Sequence, residues 1–222
     1  MEKLNPAMCI GLNASHLCKV GTSEFLAEKE AGEAFLNLQA GAKAGGLDIE
    51  IVSAFRSFDR QCAIFDAKWQ GKRPVLDAKE HPIDISSFNP QEKVAAICHF
   101  SAIPGFSRHH FGTDFDIYSP TLLPSGKKLK LTAYEYAIGS YFYPLELWLK
   151  DNLEHFGFTR PYSGKEAMGY EPWHISYKKS ADKFLREFSL DFVIDYLLKT
   201  DFAWAHECVR YAKNNYKTML CL

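Results

Sequence analysis

Apolar residues recur along this chain at two different periods, and the changes of period mark its elements. Over Ser23–Ala44 (SEFLAEKEAGEAFLNLQAGAKA), Phe25, Leu26, Ala34, Phe35, Leu38 and Ala42 share one broad helical face, with Glu and Lys opposite. Ser23 is the expected N-cap of that helix and Gly45-Gly46 its stop. Leu47–Ala54 (LDIEIVSA) alternates apolar and polar residues before a short apolar run, which predicts a strand. Helical spacing returns in FDRQCAIFDAKWQ, just after Phe55-Arg56-Ser57, and again over Pro90–Phe100. Between them, Gly71–Asn89 is polar and proline-containing, a long connection of the kind that forms lids or binding walls.

Further along, Phe115–Tyr118 predicts a strand and Pro120–Lys128 a turn-rich excursion. Thr132–Leu153 predicts a helix with Tyr136, Leu145, Leu147, Trp148 and Leu149 toward the core, kinked or split at Pro144. Phe156–Arg160 starts another strand, the loop SGKEAMGY follows, and then EPWHISY. The amphipathic tail from Ser180 to Leu222 predicts one or two packing helices. Strands separated by helices and long loops, without a regular βαβ alternation, imply an α+β fold with a mainly antiparallel central sheet. The division expected is a main domain over residues 1–179 and a helical extension, packed on it, over 180–222.

Composition narrows the function classes. At 222 residues, 47% hydrophobic and 24% charged, the chain is of ordinary globular composition. A formal net charge of −1 offers no basic field for nucleic acid. No apolar run reaches the roughly 18 residues of a membrane-spanning helix, and the N-terminus lacks the apolar segment and cleavage site of a signal peptide. The expectation is therefore a cytoplasmic protein, with a periplasmic or phage-associated location as alternatives. The six cysteines are scattered, with no CxxC pair, so reduced thiols are expected.

Candidate chemistry concentrates in two stretches, PGFSRHHFGTDFDIY (Pro104–Tyr118) and EPWH (Glu171–His174). A catalytic zinc is held by three protein ligands with one position left open. One histidine of the pair His109/His110, one aspartate of Asp114/Asp116, and His174 can supply them. Gly112 permits a turn between the histidines and the strand. Residues 114 and 116 point to the same side of a strand, so pattern alone does not choose between them. Asp116, flanked by Phe115 and Ile117, is a polar residue within an apolar strand, and a buried carboxylate needs a partner such as a metal. Glu171, three residues before His174, is placed to act as a base beside the metal, with Pro172 stiffening the segment and Trp173 anchoring it. A structural zinc site would more often close four ligands with cysteines, and none lies near these motifs.

Three blocks in order resemble the D-alanyl-D-alanine carboxypeptidases and dipeptidases of the vancomycin-resistance type, zinc peptidases of the Hedgehog/DD-peptidase fold. SAFRSFDRQ (Ser53–Gln61) is similar to that family's S-G-Y-R-S-x-x-x-Q. PGFSRHHFGTDFD (Pro104–Asp116) fits P-G-x-S-x-H-x-x-G-x-A-x-D, and EPWHISY (Glu171–Tyr177) fits E-P-W-H-x-R-Y. The likeness extends over roughly Ser23 to Tyr177. It implies one Zn2+ per chain on His109, Asp116 and His174, Glu171 as catalytic base, and Arg56 as the group stabilising the oxyanion. Ser107, Gln61 and Ser53 are implied to bind the substrate end or to brace the arginine. The implied reaction is hydrolysis of the terminal D-Ala-D-Ala bond of peptidoglycan stem peptides or their precursors. A D-Ala-D-Ala dipeptidase, an L,D-carboxypeptidase and a phage-type endopeptidase use similar chemistry, and a non-catalytic cell-wall or protein-binding module is the alternative from another class. Two positions depart from the pattern: Asp114 stands where a small alanine is usual, with the expectation of added charge near the metal or altered ligand geometry, and Ser176 replaces the usual arginine.

Overall fold

The computed structural model describes residues 3–164 and 168–222. Lys165–Ala167, within the loop expected to shape the pocket between Tyr162 and Tyr170, lie outside the described residues. In chain order the elements are α1 (Pro6–Cys9), β1 (Leu17–Lys19), β2 (Leu26–Glu28), α2 (Lys29–Ala44), β3 (Glu50–Ser53) and α3 (Phe58–Trp69). They continue with β4 (Val75–Leu76), β5 (Pro82–Ile83), α4 (Pro90–Cys98), a 3-10 turn (Arg108–Phe111) and β6 (Asp114–Tyr118). The rest comprises α5 (Ala133–Tyr136), α6 (Tyr143–Asn152), a second 3-10 turn (Leu153–Phe156), β7 (Phe158–Thr159), β8 (His174–Tyr177), α7 (Lys178–Glu187), α8 (Leu190–Leu197) and α9 (Ala205–Leu220).

The central sheet has the order β3-β6-β8-β7, and every neighbouring pair is antiparallel. Side chains alternate across a strand, so Phe115, Ile117 and Ile175 leave the sheet on one face. There they join Phe35, Leu38, Leu145 and Leu149 in a core under α2 and α6. Asp114, Asp116, His174 and Ser176 leave by the other face. A second core, drawn from α1, α3, α4, α8 and α9, takes no residue from this sheet. The functional face of the sheet therefore carries polar groups, and the helices fill their own core beside it.

Several sequence expectations are corrected. The first long helix begins at Lys29, not near Ser23, because residues 26–28 pair with residues 17–19 as a hairpin. Glu28, whose side chain accepts from the Ala31 amide, is the cap; the Ser23 hydroxyl instead donates to the Val20 carbonyl. Strand pairing outweighs helix propensity over that stretch. The predicted Gly71–Asn89 loop contains the small β4–β5 hairpin, and its last residue, Asn89, caps α4 in a capping box. The Thr132–Leu153 helix is split as expected, but the break lies before Pro144, between α5 and α6, and Pro144 sits in the first turn of α6, where its missing N–H costs nothing. Tyr136, Leu145 and Leu149 are buried, whereas Leu147 is 46% exposed. The tail forms three helices instead of one or two, and the first begins at Lys178, directly out of β8.

That tail packs against the motif segments. Gly105 has φ +90, and a Cβ there would lie 2.5 Å from Val193 Cγ1 on α8. Gly112 ends the 3-10 turn at φ +72, and its carbonyl accepts from the Glu28 amide at 2.8 Å. A Cβ on it would fall 2.5 Å from Leu17 Cδ2 and 3.0 Å from the Glu28 nitrogen, so both the positive φ and the close hairpin require glycine.

Candidate active site

Register assembles the site. Asp116 on β6 stands opposite His174 on β8, and a shift in the β3 pairing between Ile51 and Ser53 brings Ser53 opposite Asp116 as well. The 3-10 turn before β6 swings His109 onto the same point. His109 Nε2 lies 3.2 Å from Asp116 Oδ2, and His174 Nδ1 lies 3.2 Å from Asp116 Oδ1. One ligand atom from each of His109, Asp116 and His174 falls within 4.8 Å of the others, and all three residues are buried.

The remaining nitrogens decide how these imidazoles are held. His109 Nδ1 is 2.9 Å from the Ala54 carbonyl, and His174 Nε2 is 2.9 Å from Asp114 Oδ2. Each ring is tethered through its outer nitrogen, which leaves His109 Nε2 and His174 Nδ1 facing inward, the arrangement a metal-binding histidine needs. Asp116 Oδ1 is buried and, although His174 Nδ1 lies 3.2 Å away, accepts no well-aligned hydrogen bond. A buried carboxylate oxygen so placed is stabilised by a cation in front of it. Two imidazoles and one carboxylate are ligands that suit zinc, so the residues present fit the ion that the resemblance implies.

His110, the competitor of His109, points elsewhere. Its Nδ1 lies 2.6 Å from the Arg56 carbonyl and its Nε2 accepts from the Gly105 amide at 3.0 Å. Both ring nitrogens are used, and burial pushes its pKa down to about 3. His110 is a neutral brace between the two motif loops.

Arg56 projects into a cavity of about 280 Å³ that opens onto His109, Asp116 and His174 and is also lined by Glu171, Ser107, Tyr162 and Trp173. Its guanidinium donates to Gln61 Oε1 at 2.9 Å and to Ser53 Oγ at 3.0 Å, and stands 3.8 Å from Asp116. Gln61 is fully buried, its amide donating onward to the Ala102 carbonyl at 2.6 Å. Of the three residues expected at the substrate, Ser107 lines the cavity, while Gln61 and Ser53 hold the arginine.

Glu171 lies with its carboxylate 3.6 Å from His174 Nδ1. Burial, aided by the charge of Asp116, pushes its pKa up to about 7, against the pull of His174 and Arg56. Asp116 itself is held below the ordinary carboxylate range, because His109 and His174 outweigh the effect of its burial.

Arg108 and the two departures from the motif form one network, which the sequence reading missed. Arg108 Nε donates to Asp114 Oδ2 at 2.8 Å and its Nη2 to Ser176 Oγ at 2.7 Å. Ser176 Oγ and Thr113 Oγ1 each donate to Asp114 Oδ1 at 2.8 Å. Arg108 Nη1 reaches the Leu220 carbonyl at the end of α9, also at 2.8 Å. Asp114 therefore adds no uncompensated charge at the metal; its carboxylate is neutralised by Arg108 and orients His174 from outside. The available signal was the pair itself, a carboxylate in place of alanine and an arginine six residues before it, since a buried acid needs a cation.

Three inward-facing ligand atoms, a buried carboxylate of near-neutral pKa and a braced guanidinium over one cavity have the geometry of a mononuclear metal-dependent hydrolase. Comparison with known proteins agrees. The family model for VanY, D-alanyl-D-alanine carboxypeptidase, matches residues 24–180. An uncharacterised Haemophilus influenzae protein is 44% identical over 90 residues, 39% of this chain and 69% of that protein. The putative carboxypeptidase YodJ of Bacillus subtilis is 31% identical over 161 residues, 69% of this chain and 47% of that protein. Among solved structures, VanYB in complex with D-alanine-D-alanine superposes with a TM-score of 0.52 at 18% identity, covering 81% of this chain and 87% of that one. The LD-carboxypeptidase LdcB superposes with a TM-score of 0.51 at 24% identity, over 82% and 78% of the two chains. The chain belongs to the D-alanyl-D-alanine carboxypeptidase family and is a peptidoglycan-directed metallopeptidase. Among the described residues, no helix is long and apolar enough to cross a membrane.

Proposed function

We propose that this chain is a zinc D,D-carboxypeptidase that removes the terminal D-alanine from peptidoglycan stem peptides or their precursors, with His109, Asp116 and His174 as ligands. The observation that carries the reading is the convergence of His109, Asp116 and His174, with both imidazoles tethered from outside and the buried Asp116 carboxylate between them. A zinc ion held there supplies Lewis-acid chemistry, polarising a carbonyl and making water acidic near neutral pH.

The residues of the chain do the rest. Glu171 takes a proton from the attacking water as its oxygen bonds to the carbonyl carbon of the penultimate D-alanine. The fixed fork of Arg56, held by Gln61 and Ser53, faces the oxygen that becomes negative. When the C–N bond breaks, Glu171 returns the proton to the departing amine of the last D-alanine, which leaves the peptide one residue shorter. Ser107 hydrogen-bonds the substrate in this reading, which its position on the cavity wall supports. A non-catalytic binding module has no need of Glu171 in this position, which favours the enzymatic reading.

Metal removal tests this. Release of D-alanine from a stem pentapeptide is expected to cease after treatment with a chelator and to return on adding zinc. Release that persists in protein shown by elemental analysis to be metal-free would contradict it.

A further inference from the structure

The cavity at the metal ligands meets a second cavity at a pair of cations. Lys68, in the last turn of α3, and Arg73, in the turn that follows, line the metal cavity. Both also line a neighbouring cavity of about 280 Å³ bounded by Trp69, Ile83 and Lys93. The backbone sets the two side by side, because the Arg73 amide donates to the Ala67 carbonyl at 3.0 Å.

Neither Lys68 nor Arg73 makes an ion pair among the described residues. Of the three carboxylates lining the metal cavity, Asp116 lies beside the imidazoles, Glu80 accepts from the Ala133 amide, 2.6 Å away, and Glu171, beside His174, attracts Lys68 only from beyond ion-pair distance. Burial, and then the proximity of Arg73, push the Lys68 pKa down to about 8, against the pull of Glu171. The half-buried Lys68 ammonium is disfavoured by burial and by the like charge of the exposed Arg73 guanidinium, and an anion placed between them relieves both. An ammonium beside a guanidinium fork matches a carboxylate.

We propose that Lys68 and Arg73 form a carboxylate-binding subsite of the substrate cleft, which selects peptides carrying a negative group at a fixed distance from the bond cleaved at the metal. The inference rests on the reading of the site as a D,D-carboxypeptidase. Two parts of such a substrate offer that chemistry: the C-terminal carboxylate just beyond the bond, and a side-chain carboxylate on a residue before it.

Steady-state kinetics on two tripeptides ending in D-Ala-D-Ala separate them, one with a neutral acetyl-lysine at its first position and one with carboxylate-bearing diaminopimelate. Lys68→Met and Arg73→Met are each expected to raise KM by about tenfold or more, the loss of one charge-assisted hydrogen bond, and to raise KM more than they lower kcat. Lys68→Arg, which keeps the charge, is expected to recover most of the affinity, a rescue that a merely damaged fold would not give. A rise on both peptides assigns the subsite to the C-terminal carboxylate; a rise on the acidic peptide alone assigns it to the side chain. Unchanged KM on both peptides in both methionine variants overturns the subsite while leaving the reaction intact. If wild-type protein cleaves neither peptide, the reading of the reaction itself falls, and the subsite with it.

Discussion

Replacing Glu171 with alanine is expected to lower kcat by roughly 10²- to 10⁴-fold, the usual worth of a positioned general base, while the protein still binds one zinc. The separation follows from geometry. Glu171 stands 3.6 Å from His174 Nδ1 but lies outside the group of three ligand atoms that converge within 4.8 Å. Burial keeps its pKa near 7, so it can accept a proton and release it again within one turnover. Elemental analysis for zinc, set beside kcat for D-alanine release, checks this. Glu171→Ala protein with wild-type turnover would end the assignment of the base, and loss of zinc in that variant would make Glu171 a ligand instead.

The second large effect lies one layer out from the ligands. Asp114→Ala is expected to weaken zinc binding by about 10- to 100-fold, since it removes the acceptor that fixes the His174 ring. It also leaves Arg108 buried, 4% exposed, without its acid. Removing one partner of a buried pair costs about 3–5 kcal/mol, so the urea midpoint should fall with it. The double replacement Asp114→Ala with Arg108→Met removes the stranded charge and should recover much of the stability but none of the zinc affinity. Competition with a chromophoric chelator reads the affinity, and urea unfolding reads the stability. Equal zinc affinity in wild type and Asp114→Ala would show that His174 is oriented by something else.

These two effects differ in how legible they were from the sequence. His109, Asp116, His174, Glu171 and Arg56 could be proposed from the sequence because their motifs are local in the chain. The spacing of EPWH, or of the histidine pair from Asp116, is itself the chemical signal, and the structure brings all five residues to one cavity. The choice between His109 and His110 came from the resemblance alone. In the structure it rests on the Gly105 amide and the Arg56 carbonyl, which claim both nitrogens of His110.

What the sequence did not disclose depends on contacts between distant segments. Arg108 meets Ser176 only because β6 pairs with β8 in a register that sets Asp114 opposite Ser176, and it meets Leu220 only because α9 packs back onto the site. The start of α2 was misplaced for a similar reason. Residues 23–28 carry a pattern compatible with helix, and the partner that makes them a strand lies several residues upstream. The three-way division of the tail follows from the Ser189 cap and the turn before Ala205, signals that an amphipathic pattern alone does not separate.

The most direct test of the whole account is mass spectrometry of a stem pentapeptide ending in D-Ala-D-Ala after incubation with the zinc-loaded protein. The account predicts a single product lighter by one alanine residue, with free D-alanine released in equal amount. An intact pentapeptide, or a product that has lost both alanines as a dipeptide, would contradict it.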